Sequence, residues 1–420
     1  MPQSTVLHDH HVRLGARIVD FHGWLLPVQY AGVLAEHKAC REAAAIFDTG
    51  HMGQFHFAGP AAAEALGHVL TQDAAGLEVG RCQYGFLLNA QGGIIDDTIL
   101  MRLGEEEFLL VVNAGTMPND WQWITSHLPA GAVADEQDTP IIVPTGGGEF
   151  AVVVRAHTAD GASEARAAGV PPASVRESSA RQIPDCGILA RNLSSCWSKL
   201  DLQGPRSVEV LAPMVDFDLK TLRYFRGTKG ACAGRPCIIS RTGYTGELGY
   251  EIFAPRDSIV AIFEALIANP IVKPAGLGAR DSLRLEMCYP LYGEDINDQT
   301  DPLEADLGHF VNLGRDFVGK EPLAQEAQAG PPRKLVAFRS AGRKRAAHGN
   351  AILAGGKEVG QVTSGGFAPS LNVSIGMGYV AADCAAAGTG LTIQTDRGEL
   401  EVEICDKPLY KGGTCRKALL

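Results

Sequence analysis

Gly80-Arg-Cys-Gln-Tyr-Gly-Phe-Leu-Leu-Asn-Ala-Gln-Gly-Gly-Ile-Ile-Asp-Asp-Thr-Ile-Leu100, then a charged turn, then Phe108-Leu-Leu-Val-Val-Asn-Ala-Gly115, is the stretch whose reading decides the fold. It contains an apolar run, a Gly92-Gly93 turn, a second apolar run carrying Asp96-Asp97, an acidic turn at Glu105 to Glu107, and a third run ending at Asn113. That order reads as a three-stranded meander. Adjacent strand residues point to opposite faces, so only one of Asp96 and Asp97 faces a given pocket, while the other meets solvent or a backbone partner. On pattern alone, one solvated aspartate and one that caps a turn would explain the pair without any chemistry.

Around this stretch, 420 residues exceed one ordinary domain, so two or three units with a large combined core are expected. An apolar fraction of 45% and a charged fraction of 20% are ordinary for a soluble globular protein. The net charge of −11, without a block of Lys or Arg, argues against nucleic acid and against an anionic membrane surface as partners. The first residues lack the charged-then-apolar plan of a signal peptide, and no apolar segment approaches ~18 residues, so a cytoplasmic protein is expected. Ten cysteines without a Cys-x-x-Cys module read as reduced, structural thiols rather than a disulfide framework. Cys232 and Cys237 are the nearest pair and, without partner histidines, a weak zinc signal.

Towards the N-terminus, residues 12 to 30 read as a short strand and an aromatic turn, and residues 31 to 45 have helical spacing. His51, in the strand entry after Ile46, could serve acid–base chemistry or be a histidine fixed in a packed turn. His8, His10 and His11 invite a metal reading, yet they lie at a chain end, where disorder is usual. Residues 58 to 79 read as helix and turn, and Pro118 to His127 as helix. From about Ala132 to Arg191 the pattern is irregular.

Towards the C-terminus, Trp197 to Pro205 is an alternating strand closed by a Gly-Pro break that starts a helix. Pro236 to Tyr250 holds two strands around a glycine-rich turn, with no Gly-Lys-Ser or Gly-x-Gly-x-x-Gly pattern to support nucleotide binding. Its glycines bring backbone close to a flat ligand or another strand. Residues 257 to 267 read as an amphipathic helix. The next helix, from Leu277, stacks Arg280 and Arg284 at helical spacing, as a solvated charged face would also do. From Pro331 onward, short strands and glycine turns read as an all-β terminal domain after a Gly-Pro-Pro linker.

Seven strings can then be taken together in order: Asp20-Phe-His-Gly-Trp-Leu-Leu-Pro, Phe47-Asp-Thr-Gly-His-Met, Gly92-Gly-Ile-Ile-Asp-Asp, Leu202-Gln-Gly-Pro, Gly243-Tyr-Thr-Gly-Glu, Gly276-Leu-Gly-Ala-Arg-Asp-Ser-Leu-Arg-Leu-Glu and Thr363-Ser-Gly with Pro-Ser-Leu beyond it. From about residue 6 to 416 the chain resembles the T-protein family of the glycine cleavage system, tetrahydrofolate-dependent aminomethyltransferases. The resemblance implies an α+β fold, a three-domain cloverleaf around a central folate site with a C-terminal small β-barrel. It implies a core over residues 1–330 made of two interleaved α+β domains, an insertion at about 133–191, and a barrel domain over 331–420. The implied reaction takes the aminomethyl group from the lipoyl arm of the H-protein, passes the one-carbon unit to tetrahydrofolate as cosubstrate, and releases ammonia. No metal, nucleic acid or membrane is implied.

Carried over by position, the family's folate-site residues fall on Tyr84, Asp97, Asn113, Tyr244, Glu251 and Arg280. The residue types suit that role. A carboxylate at Glu251 can accept the paired N–H donors of a reduced pterin. Tyr84 and Tyr244 can line a flat heterocycle, and Arg280 can hold a carbonyl or the glutamate tail. Asp97 takes the chemical role, orienting the attacking amine or relaying its proton, and Asp96 is left as the outward neighbour. Two relatives on the same scaffold are the alternatives: a folate-dependent demethylase, whose donor pocket differs, and a non-catalytic folate-binding iron–sulfur assembly factor. The second is marked by a Lys-Gly-Cys-Tyr-x-Gly-Gln-Glu type string, whereas this chain reads Arg241-Thr-Gly-Tyr-Thr-Gly-Glu-Leu-Gly and lacks that cysteine.

Overall fold

The meander expected from the opening stretch forms from Cys82–Leu88, Ile94–Gly104 and Glu107–Val112, paired antiparallel in chain order. The computed structural model that places them describes residues 2–133 and 185–418, with the backbone of the strands Ile141–Gly146 and Glu149–Val153 between. Gly53–Ala58 and Leu189–Asn192 extend the meander to a five-stranded sheet. Leu189–Asn192, inside the stretch of about 133–191 expected to be an insertion, are thus a strand of this sheet. At the first turn, a Cβ on Gly93 would fall 2.0 Å from the Asp298 carbonyl oxygen, so the close approach of that loop requires glycine.

The apolar runs are nearly continuous because both faces of this sheet are covered. Leu100, Phe108, Leu110 and Val112 pack in one core with residues of the helices Ala62–Val69 and Met117–Ser126. Met101, Leu109 and Val111 turn the other way, onto Trp197, Ile238 and Phe253 of a second sheet. That second sheet has six strands, in the order Gly227–Cys232, Arg235–Ser240, Gly249–Pro255, Trp197–Gln203, Ala44–Asp48 and Val272–Pro274. The helix Arg256–Ile267 covers its far face through Ile259, Ile262, Phe263 and Leu266. The two sheets therefore face each other across one shared layer.

Two N-terminal expectations change. Residues 12 to 30 form a hairpin, Arg17–Phe21 with Trp24–Gln29, rather than one strand and a turn. The histidine cluster is ordered: His8–Arg13 is a short helix, and His11 is fully buried. Its Nε2 lies 2.7 Å from Asp48 Oδ2, and its Nδ1 lies 2.8 Å from the Tyr30 hydroxyl. A carboxylate distant in sequence but buried next to it supplies the order that the end of a chain usually lacks.

The helix Leu277–Glu286 joins the two sheets to the C-terminal unit. Ala279 and Leu283 pack on Cys40 and Phe47, while Leu285 packs on Leu335, Ala337 and Met377. Arg284 and Glu286 are buried, so this is not a solvated charged face. Arg284 reaches Asp295 at 2.6 Å and Ser364 at 3.0 Å. The C-terminal strands close into a six-stranded barrel running Arg333–Ser340, Val373–Ala381, Lys357–Ala368, Ala351–Ala354, Gly390–Thr395 and Gly398–Cys405. The expected α+β class with a terminal barrel is the observed one. All ten cysteines are free thiols, Cys232 and Cys237 among them buried. No helix among the described residues is long and apolar enough to cross a membrane.

Candidate active site

Along Ile94–Gly104, Asp97 shares the face of Ile99 and Met101, which pack in the layer between the sheets. Asp97 is half-buried there. Its Oδ2 accepts from the Tyr84 hydroxyl at 3.0 Å, and its Oδ1 accepts from the Asn113 side-chain amide at 2.8 Å. Tyr84 sits on the adjacent strand, its ring 4.8 Å from that of Phe310 at 71°. Asn113 directly follows the last residue of the third strand, so two strands of the meander and the end of the third bring the cluster together.

Asp96 points to the opposite face, as alternation expects, and of the two outcomes expected there, solvent or a backbone partner, it meets the second. It is fully buried on the helix side, where its Oδ2 accepts from the backbone N–H of Asn113 at 2.8 Å and its Oδ1 from the Asn113 side-chain amide at 2.8 Å. The face opposite the site is roofed by Met117–Ser126, whose Asp120 is also fully buried. Burial, and then the Asp97 charge, push the Asp96 carboxyl well above the usual carboxylate range. Burial, and then Asp96, do the same to Asp120. Burial pushes Asp97 up to about 6, although the Tyr84 and Asn113 hydrogen bonds work against the rise.

The second sheet supplies the facing groups. Glu251 lies two residues before Phe253 on the same strand and so shares its face towards the interlayer. Its carboxylate accepts from Lys199 and from the Thr242 hydroxyl. Arg280, half-buried on Leu277–Glu286, places its guanidinium 5.0 Å from the centre of the Tyr244 ring and donates to Asp201 Oδ2 at 2.7 Å. The Tyr244 hydroxyl donates to the Pro290 carbonyl. Its ring lies 5.8 Å from that of Tyr289 at 30°. Burial raises the Tyr244 hydroxyl, the Arg284 charge works against the rise and the Asp97 charge adds to it. Tyr84 is raised likewise by burial, Asp97 and Tyr244.

Of the six residues read from sequence, Tyr84, Asp97 and Asn113 form one hydrogen-bonded group on the first sheet. Glu251 stands on the second sheet, and Arg280, on the helix Leu277–Glu286, stacks over the Tyr244 ring and reaches Glu251 only through Asp201 and Lys199. Two charged residues that join Arg280 to Glu251, Lys199 and Asp201, were missed by sequence reasoning. The string Trp197-Ser-Lys-Leu-Asp-Leu-Gln does put the two charges on one face of a strand, but only the pairing shows that both its neighbours are core strands. His51 is 8% exposed, and its Nδ1 has no hydrogen-bond partner. Burial pushes its imidazole down to about 4, so the ring is neutral at ordinary pH. Remote from this site, the Asp301, Glu304 and Glu326 carboxylates converge, and Arg333 occupies Glu304 at 2.9 and 3.0 Å.

Comparison with known proteins agrees over nearly the whole chain. Residues 7–165 and 173–315 match the family model described as the GCVT N-terminal domain, and residues 333–411 match the glycine cleavage T-protein C-terminal barrel domain. The aminomethyltransferase of Desulforamulus reducens is 36% identical, over 97% of this chain and 98% of its own. That of Symbiobacterium thermophilum is 37% identical, over 97% of each. The crystal structure of the glycine cleavage system aminomethyltransferase T from Bartonella henselae superposes with a TM-score of 0.81 at 29% identity, covering 99% of both chains. A two-sheet core with a buried acidic layer, closed by a barrel and matched in this way, defines a one-carbon transferase. The chain belongs to the glycine cleavage T-protein family of aminomethyltransferases.

Proposed function

We propose that this protein moves the aminomethyl carbon from the lipoyl arm of an H-protein to tetrahydrofolate, with release of ammonia, and that the layer between the two sheets is where it does so. The observation that carries this is the half-buried Asp97 carboxylate, held from two sides by Tyr84 and Asn113 on the face that looks toward Glu251.

The residues suit a reduced pterin. Lys199 and Thr242 each bond one oxygen of Glu251, so about two of its roughly four lone-pair sites remain for adjacent ligand N–H donors. Tyr84 and Tyr244 offer ring faces or edges to a flat heterocycle, and the half-buried Arg280 offers a cation to an anionic tail. Bound tetrahydrofolate supplies the amine that accepts the one-carbon unit.

Asp97 orients that amine and takes up its proton at a carboxylate oxygen. With its carboxyl held at about 6, Asp97 is ionised at neutral pH and still basic enough to relay the proton towards the departing ammonia. Asn113 and Tyr84 fix the carboxylate so that little reorganisation precedes the step. The division of the chain into a core over residues 1–330 and a barrel domain over 331–420 belongs to the same reading, the Leu277–Glu286 helix being shared packing between them.

The test is direct. Purified protein is supplied with aminomethylated H-protein, with and without tetrahydrofolate, and ammonia is measured. Folate-stimulated release is expected. Ammonia release that ignores folate, or none with folate present, rejects the reading. Glu251→Ala should raise the tetrahydrofolate dissociation constant by about tenfold or more, since a charged acceptor is lost.

A further inference from the structure

Asp201 and Glu251 stand directly opposite one another on the antiparallel strands Trp197–Gln203 and Gly249–Pro255, so their side chains share a face. Like charges in that arrangement repel, and both are enclosed, at 0% and 6% exposure. Such a pair stays ionised only with cations beside it. Two cations are present. Lys199, 1% exposed and two residues before Asp201, puts its Nζ 2.7 Å from Asp201 Oδ1 and in contact with Glu251 Oε1. Arg280 holds the other oxygen of Asp201. Burial pushes the Asp201 carboxyl up, but Lys199 and Arg280 together outweigh it and hold it at about 2. Thr49 adds a hydroxyl donor to Asp201 at 2.8 Å.

The result is a chain of alternating charge, Glu251–Lys199–Asp201–Arg280, in which the two end members are the proposed folate contacts and the two middle members are the strand's own. We propose that Lys199 and Asp201 are positioning residues that set the orientations of Glu251 and Arg280 for folate, so that the two contacts bind their ligand as one unit. The proposal rests on the folate reading given above. A long side chain left unsupported must be ordered when ligand arrives; here the network has already ordered both ends, and that part of the binding cost falls away. The alternative is that Lys199 and Asp201 only neutralise a buried strand pairing and hold the fold.

Double-mutant cycles separate the two. Tetrahydrofolate affinity is measured by fluorescence titration, with thermal midpoints alongside, for Lys199→Gln, Glu251→Gln and their double variant, and for Asp201→Asn, Arg280→Gln and theirs. Each single change is expected to weaken binding by about tenfold, with each double no weaker than its Glu251→Gln or Arg280→Gln parent, since coupled neighbours do not add. Lys199→Arg should restore affinity. In Lys199→Gln the folate concentration for half-maximal turnover should rise by a larger factor than turnover at saturating folate falls, the loss lying mainly in binding. The two cycles are independent, so one variant that fails to fold leaves the other to decide. Losses that add in the doubles overturn the proposal. Unchanged binding in both Glu251→Gln and Arg280→Gln overturns the folate reading beneath it.

Discussion

The side-chain amide of Asn113 donates to Asp97 Oδ1 at 2.8 Å and to Asp96 Oδ1 at 2.8 Å, so the catalytic candidate and its buried neighbour hang from the same side chain. This makes Asp97 a carboxylate with little rotational freedom. Asp97→Asn keeps the size and one acceptor but removes the charge and the basicity. Turnover with aminomethylated H-protein should fall by about 10²-fold or more, the usual share of a positioned acid–base group. Tetrahydrofolate affinity should change by less than about threefold, because the amide still fits. Single-turnover ammonia release beside equilibrium titration checks both. Full turnover in the variant would remove Asp97 from the chemistry.

The pH profile should carry the same group. Burial raises Asp97 from 3.8 to about 6, and the working form is the carboxylate. Activity should therefore be flat above about pH 7 and lose close to tenfold per unit below 6, as the carboxyl takes up its proton. The acidic limb should be missing from the residual activity of Asp97→Asn. A limb that persists there belongs to another group.

Strand alternation allowed only one of Asp96 and Asp97 to face the layer between the sheets, and the family resemblance chose Asp97, which does share that face. Alternation could not show that the opposite face lies under Met117–Ser126 rather than in water, because a single strand does not reveal what covers it. The meander, the helix at Leu277 and the barrel were legible for a local reason: turn residues and apolar periods mark them out within a short window. Lys199 and Asp201 were not, since their meaning comes from a register with Gly249–Pro255 that no local pattern encodes. His11 fails in the same way. Its partner Asp48 stands on another element, and a histidine-rich chain end without its partner looks like a loose one.

Asp120 offers a stability test free of catalysis. Its folded carboxyl is raised to about 10 by burial and then by Asp96, while unfolded it ionises near the ordinary value. The sign follows: the folded state binds one more proton than the unfolded chain between those limits, so this residue's contribution is greatest at acid pH and is lost as the pH rises. Asp120→Asn cannot bind that proton. The wild type should lose stability between pH 5 and 8 with a slope steeper than the variant's by up to about 1.4 kcal/mol per unit. Urea unfolding at several pH values measures it, and parallel slopes would mean that Asp120 is ionised in the folded protein.

The N-terminal helix gives the last prediction. Asp48 is fully enclosed, and burial alone would raise its carboxyl; His11, the Thr5 hydroxyl at 2.5 Å and the Gly50 N–H at 2.8 Å outweigh that and hold it below the ordinary value. A carboxyl lowered by folding stabilises the protein above its unfolded value, and the gain is lost as the pH falls through the folded one. His11→Ala removes the partner and leaves the carboxylate buried, which costs about 3–5 kcal/mol at neutral pH. In the variant burial dominates and Asp48 is raised instead, so acid relieves it. The gap in stability between wild type and His11→Ala should therefore narrow from pH 7 to pH 5, measured by denaturant midpoints. A gap that stays constant with pH would assign the loss to packing against Tyr30 and Phe263, whose rings lie 6.1 and 6.2 Å from that of His11, rather than to the charge on Asp48.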